Sequence, residues 1–97
     1  MKRDKLGDAQ IEAALASLAG FGGWSIEHGI LAKEFRFTSY LDGMRFAARV
    51  AEAAEAMNHH PDLLISWRRV RFSVHTHSAG GLTELDFELA MRAEQAV

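Results

Sequence analysis

The chain contains no cysteine. A disulfide framework and a thiolate metal site are therefore both ruled out. Proline occurs once, at Pro61, and no linker, internal repeat or low-complexity segment interrupts the sequence. Long hydrophobic runs are also missing. The charged opening Met1-Lys2-Arg3-Asp4-Lys5 is followed by no apolar stretch, so neither a secretory signal peptide nor a membrane span is expected. Charge of one sign is not in excess. Eleven Lys and Arg stand against 13 Asp and Glu, for a formal net charge of −2, which gives no electrostatic reason to expect nucleic-acid or membrane binding. A reducing cytoplasm is the expected location. What remains is ordinary globular material, 48% apolar and 25% charged over 97 residues. That length suits one domain spanning 1–97 with a limited core, and chains of this size often gain stability by self-association.

Asp8 is expected to cap a first helix whose apolar stripe is Ile11, Ala14, Leu15 and Leu18, ended by Gly20, Gly22 and Gly23. Trp24–His28 reads as a short edge strand, and Gly29 allows a tight turn into Ile30–Phe37. There Leu31, Phe35 and Phe37 share one face while Glu34 and Arg36 take the other. Ser39, with Asp42 three residues on, can open a second helix. Leu41, Met44, Ala48, Ala51 and Met57 lie near helical spacing, and the many alanines favour helix. Pro61 lacks a backbone donor and pushes His60 out of helical geometry, so the helix must stop near Asn58. Leu63–Trp67 and Val70–Thr76 read as two further strands, and Gly80-Gly81 as a turn. Thr83 then caps a last helix with Asp86 at its third position, and Leu82 and Phe87 are placed to form a hydrophobic staple. The order α-β-β-α-β-β-α predicts an α+β domain, a four-stranded antiparallel sheet with helices packed on one face.

Titratable chemistry concentrates between Glu55 and Asp86. Histidine changes charge near neutrality, with an ordinary pKa of about 6.5. Adjacent His59 and His60, a third imidazole at His77 and the carboxylates of Glu55 and Asp86 point to proton transfer or to a metal site. Strand three leads away from Pro61 and strand four returns to His77. In a hairpin those ends are neighbours, so the three imidazoles are expected to converge.

The spacing Glu55-x3-His59-His60-Pro61-x5-Trp67-x9-His77-x8-Asp86 resembles the signature of the pterin-4a-carbinolamine dehydratases. Other segments extend the resemblance over most of the chain. They are Gly23-Trp24 after the first helix, Lys33-Glu34-Phe35-Arg36-Phe37 on the second strand, Val50-Ala51-Glu52 and Ala54-Glu55 in the middle helix, and Thr76-His77-Ser78-Ala79-Gly80-Gly81-Leu82-Thr83 before the last one. Leu63 and Ser78 depart from it, standing where the family often has Trp and Asp.

The resemblance implies a 4a-hydroxytetrahydropterin substrate that loses water to leave a quinonoid dihydropterin. The leaving hydroxyl must be protonated and N5 must lose its proton. That requires a general acid and a general base, and no metal or redox cofactor. Positioned proton transfer contributes roughly 10²–10⁴-fold. The catalytic set implied is His59, His60 and His77, with His59 and His77 moving protons and His60 holding the pterin. Glu55, one turn before His59, is expected to orient an imidazole. Pro61 stiffens the junction, and Glu55, Pro61 and Asp86 form the expected substrate-binding set. The family also implies a homodimer joined through sheets or a homotetramer joined through helices, and a link to phenylalanine hydroxylase in tetrahydrobiopterin recycling.

Blander readings compete at several positions. Asp86 can pair with the Thr83 cap and the helix dipole instead of a substrate. Trp67 reads as packing, His75 as a solvated strand residue and His28 as a turn residue. His59, His60, His75, His77 and Glu55 supply enough ligands for zinc or iron, but adjacent histidines rarely reach one ion and no HExxH pattern is present. A different class of function is a non-catalytic dimerisation or transcriptional cofactor module acting through a helical surface, as some family members do.

Overall fold

The computed structural model describes residues 3–97. Among them the order is α1 (Asp8–Leu18), β1 (Ser25–Glu27), β2 (Ile30–Arg36), α2 (Tyr40–Met57), β3 (Asp62–Ser66), β4 (Arg69–Val74) and α3 (Glu84–Gln95). Short 3-10 turns occupy Ala19–Phe21 and His77–Ala79. The strands form one sheet in the order β1-β2-β4-β3, each neighbour antiparallel. This is the expected α+β arrangement.

Strand alternation decides which face is covered. Leu31 and Phe35 of β2 pair with Val74 and Val70 of β4, and Phe72 lies between them. All five are buried and join Phe46 and Val50 of α2 and Leu89, Ala90 and Ala93 of α3 in one core. Glu34, Arg36, Arg69 and Arg71 alternate with them and stay exposed. The helices therefore cover one face and leave a charged face open.

Two local readings change. The cap of α1 is Gly7, not Asp8. Its backbone N–H donates to Gln10 Oε1 at 2.8 Å, and Asp8 instead becomes the acidic residue of the first turn. The second change concerns α2, which carries two apolar stripes. Of the expected one, Leu41, Met44, Ala48 and Ala51 face outward and only Met57 packs against the core, while Gly43, Phe46, Ala47, Val50 and Ala54 are buried. The stripe holding Phe46 and Val50 has more area to withdraw from water, and its glycine lets the helix approach the sheet. A Cβ on Gly43 would sit 3.3 Å from Cγ2 of Val70.

The end of α2 places the histidines. Asn58 adopts the left-handed conformation, at φ 50°. Its N–H donates to Glu55 O at 3.1 Å, and the His59 N–H reaches back to Ala54 O at 3.0 Å. This is a Schellman turn, whose closing residue folds back against the helix. His59 is that residue, which is why it is buried while His60 points out.

Lys33, Trp24 and Glu94 tie the sheet to α3. The Lys33 ammonium pairs with Glu94 Oε2, and the Trp24 indole N–H donates to the same oxygen at 2.8 Å. Lys33 Nζ also lies 4.7 Å from the centre of the Phe35 ring. The side chains of Lys33 and Glu94 are only 12% and 6% exposed. Replacing Glu94 by Ala strands a largely buried ammonium and an indole donor, an expected loss of about 2–4 kcal/mol. Urea unfolding should show a lower midpoint with an unchanged slope. Glu94→Gln, which keeps an acceptor, should lose less.

Candidate active site

Asp86 is the third residue of α3 and has no exposed surface. Its position follows from a capping box, in which the Thr83 N–H donates to Asp86 Oδ2 at 2.8 Å. The same Oδ2 accepts from the Thr76 hydroxyl at 2.8 Å. The Thr76 and Thr83 hydroxyl oxygens lie 2.8 Å apart, and Thr83 Oγ1 accepts from the Leu85 N–H. Because the Thr76 proton goes to Asp86, the Thr83 proton goes to Thr76, and the chain of donors closes.

The other carboxylate oxygen, Oδ1, lies 2.6 Å from Nε2 of His59. A carboxylate that already accepts two hydrogen bonds acts as an acceptor here too, so the hydrogen-bond network assigns the ring proton to Nε2. Nδ1 of His59 then carries the lone pair. Every fully buried side-chain nitrogen or oxygen among the described residues has a partner. Nδ1 has none among the described residues, so it belongs to the 6% of His59 that reaches the surface. The ring is thus clamped at one nitrogen and open at the other.

Asp86 has no exposed surface and both of its oxygens accept hydrogen bonds, so the pairing with the Thr83 cap is present and its contact outside the capping network is the His59 ring. Glu55 meets an imidazole. Its Oε1 lies 2.6 Å from Nε2 of His60, not of His59. The Schellman turn rotates His59 inward, and the next residue meets the helix face that carries Glu55. Both members of this pair are exposed, at 55% and 79% of their side chains.

His77 opens the 3-10 turn after β4 and does not lie on the strand itself. It makes no hydrogen bond to His59 or His60, but it follows Thr76, whose hydroxyl holds Asp86 and hence His59. Its ring centre lies 6.1 Å from that of His75. The β3–β4 register ends at Asp62 opposite Ser73, while Val74 still pairs with Leu31 of β2, so Pro61 precedes β3 at the same end of the hairpin where His75 follows β4. Pro61 is half-buried at this junction. Trp67 overturns its expected packing role. It sits at the far end of the hairpin, 70% exposed, with the Arg68 guanidinium 4.2 Å from its ring centre.

Sequence reasoning missed one residue of the site. Thr76 was read as the end of a strand, and nothing local marks its hydroxyl as Asp86's partner. The helix end expected near Asn58 is where the structure has it, since asparagine tolerates the left-handed conformation that ends a helix. A concavity of about 470 Å³ between α1 and α3, lined by Leu6, Ala14, Phe87 and Met91 among others, contains none of these histidines. Among the described residues no cluster of three or more His, Cys, Asp or Glu side chains is arranged to hold a metal ion. No described helix is long and apolar enough to cross a membrane.

Comparison with known proteins gives a consistent result. Residues 4–96 match the family model described as pterin 4 alpha carbinolamine dehydratase. A protein of Mycobacterium sp. (strain JLS), provisionally named a pterin-4-alpha-carbinolamine dehydratase, is 46% identical over 90 residues, 93% of each chain. One of Roseiflexus sp. (strain RS-1) with the same provisional name is 42% identical over 94% of this chain and 95% of its own. The crystal structure of a transcriptional coactivator/pterin dehydratase from Brucella melitensis superposes with a TM-score of 0.88 at 28% identity, covering 96% of this chain and 98% of that one. A pterin dehydratase-like protein described as a RuBisCO assembly factor shares the fold alone, with a TM-score of 0.67 at 20% identity over 77% of this chain and 89% of its own. A buried carboxylate–imidazole pair, a second carboxylate–imidazole pair beside it and a match along almost the whole length agree: the chain belongs to the pterin-4-alpha-carbinolamine dehydratase family.

Proposed function

We propose that this protein dehydrates a 4a-hydroxytetrahydropterin to the quinonoid dihydropterin by histidine acid–base catalysis. The observation that carries the reading is the 2.6 Å bond from Asp86 to Nε2 of His59, which leaves Nδ1 unpaired at the surface. Nδ1 takes the N5 proton. The electrons of that N–H bond form the C4a=N5 double bond. The C4a–O bond breaks with its electron pair on oxygen, and that oxygen receives a proton from His77 and leaves as water. The Asp86 carboxylate stabilises the imidazolium formed at His59, as a buried carboxylate does for a catalytic histidine elsewhere. His60, steered by Glu55, contacts the pterin, and Pro61 fixes the angle at which that ring is offered. No electron carrier is consumed, because the substrate and product differ only by water.

The family resemblance supports the wider setting. An aromatic amino-acid hydroxylase such as phenylalanine hydroxylase releases the hydroxylated pterin, so the activity serves tetrahydrobiopterin recycling in the cytoplasm. Self-association supports a small domain of this kind. The free edge strand β3 exposes Leu64, and α2 exposes Leu41 and Met44, surfaces suited to a homodimer or homotetramer.

Turnover of enzymatically generated 4a-hydroxytetrahydropterin tests the scheme. His59→Ala and His77→Ala should each lower kcat by about 10²–10⁴-fold, and His60→Ala should act mainly on KM. Full activity in all three ends the proposal. Asp86→Asn is the sharper test. The amide oxygen must face the Thr76 and Thr83 donors, so its NH₂ faces His59 and drives the ring proton onto Nδ1. A loss of kcat of about 10²-fold or more is expected, with near-ultraviolet circular dichroism unchanged. Glu55→Gln should cost less than about 10-fold, because exposed pairs are screened and loosely held. A larger loss would move Glu55 from a supporting to a proton-transferring role.

A further inference from the structure

We propose that His75 and His77 form a two-imidazole chelating pair for a divalent ion of the Zn²⁺ type, and that its occupancy arrests turnover by withdrawing His77. The second half rests on the proton-transfer role assigned to His77 above. The first half does not.

The pair is set by the residue between its members. Thr76 is 2% exposed, with its hydroxyl held between Asp86 and Thr83. Its backbone is extended, at φ −106° and ψ 91°, and its N–H donates to Gly81 O at 3.2 Å. On an extended segment, the neighbours on either side of an inward residue both point outward. His75 and His77 do so, each exposed, with ring centres 6.1 Å apart and planes at 76°. Two imidazoles on one tetrahedral ion, at Zn–N of about 2.0–2.1 Å, place their ring centres roughly 5–6 Å apart. A small rotation of one exposed ring closes the difference.

Little opposes that rotation. The only partner of either ring among the described residues is the other ring. The backbone beneath is fixed by the Thr76–Gly81 bridge and by the 3-10 turn His77–Ala79, which Gly80 ends in the left-handed conformation at φ 72°. The fixed backbone therefore starts the rings near the chelating geometry, and binding orders only the two side chains. Among the described residues no third His, Cys, Asp or Glu joins them, so water completes the coordination. Binding is then reversible and regulatory in character, unlike a structural site with four protein ligands. Imidazole nitrogen suits Zn²⁺, Ni²⁺ and Cu²⁺ over Mg²⁺ and Ca²⁺. His75 has no part in the proposed dehydration, so it serves the chelate alone.

The experiment uses the full chain and ZnCl₂, because Zn²⁺ performs no redox chemistry on a reduced pterin. Calorimetric titration should show one ion per chain for the parent, with at least about 10-fold weaker binding in His75→Gln and in His77→Gln. MgCl₂ at the same concentration should give no heat of binding. In turnover assays, Zn²⁺ should inhibit the parent and a chelator should restore it. His75→Gln should match the parent without metal and need at least about ten times more Zn²⁺ for the same inhibition. Unchanged Zn²⁺ binding in His75→Gln overturns the chelate. Binding lost as expected, with parental turnover unaffected at saturating Zn²⁺, overturns the inhibitory half and also the proton-transfer role of His77. A parent without dehydratase activity removes the inhibitory half together with the function proposed above, and the titration alone then decides the chelate.

Discussion

The buried carboxylate of Asp86 is the constraint on which the rest of the site depends. An ionised group with no exposed surface is tolerable only when its oxygens are fully occupied, and here one accepts from an imidazole while the other accepts from a hydroxyl and a backbone amide. Those partners come from the end of α2, the segment after β4 and the start of α3. A single charge therefore fixes the relative placement of three elements that lie far apart in sequence. It also fixes a tautomer, since the imidazole that satisfies it must offer an N–H. The chemistry proposed for His59 is the remaining half of that bargain, a free lone pair on the opposite nitrogen.

The supporting framework is arranged to protect this junction. Lys33, Trp24 and Glu94 fasten the far end of α3 to the sheet, while the Thr83 capping box fastens its near end. The family motif segments outside the histidine set thus acquire a physical reason. Gly23-Trp24 and Lys33 both converge on Glu94, holding the helix that delivers Asp86. Gly43 contributes from the other helix by permitting close approach to Val70. The closed face of the sheet is a single packed unit, and the open face with its arginines and Glu34 is left to solvent.

Much of this was legible before any coordinates. The order of elements follows from apolar periodicity and from Pro61, Gly29 and Gly80-Gly81, because those signals are local. The box of Thr83 and Asp86 was equally local. The errors fell where the deciding contact was remote or where two local patterns competed. In α2 both apolar stripes fit helical spacing, and side-chain bulk at Phe46 and Val50 selected the inner one. Glu55 was expected by helix spacing to meet an imidazole, and because Asn58 ends the helix that imidazole is His60. Thr76 meets Asp86 ten residues away through tertiary packing, and no spacing rule encodes that. Trp67 was read as packing, but the hairpin turn carries it out beside Arg68.

One feature of α3 reaches beyond the site. Its first turn is held by the same carboxylate that clamps His59, so helix end and imidazole share one fate. Any fraying that swings Asp86 away frees the ring to flip between tautomers and to tumble into water, while the hydrophobic interior around Phe46 and Phe72 stays intact. Helix end and imidazole thus open together as one local unit.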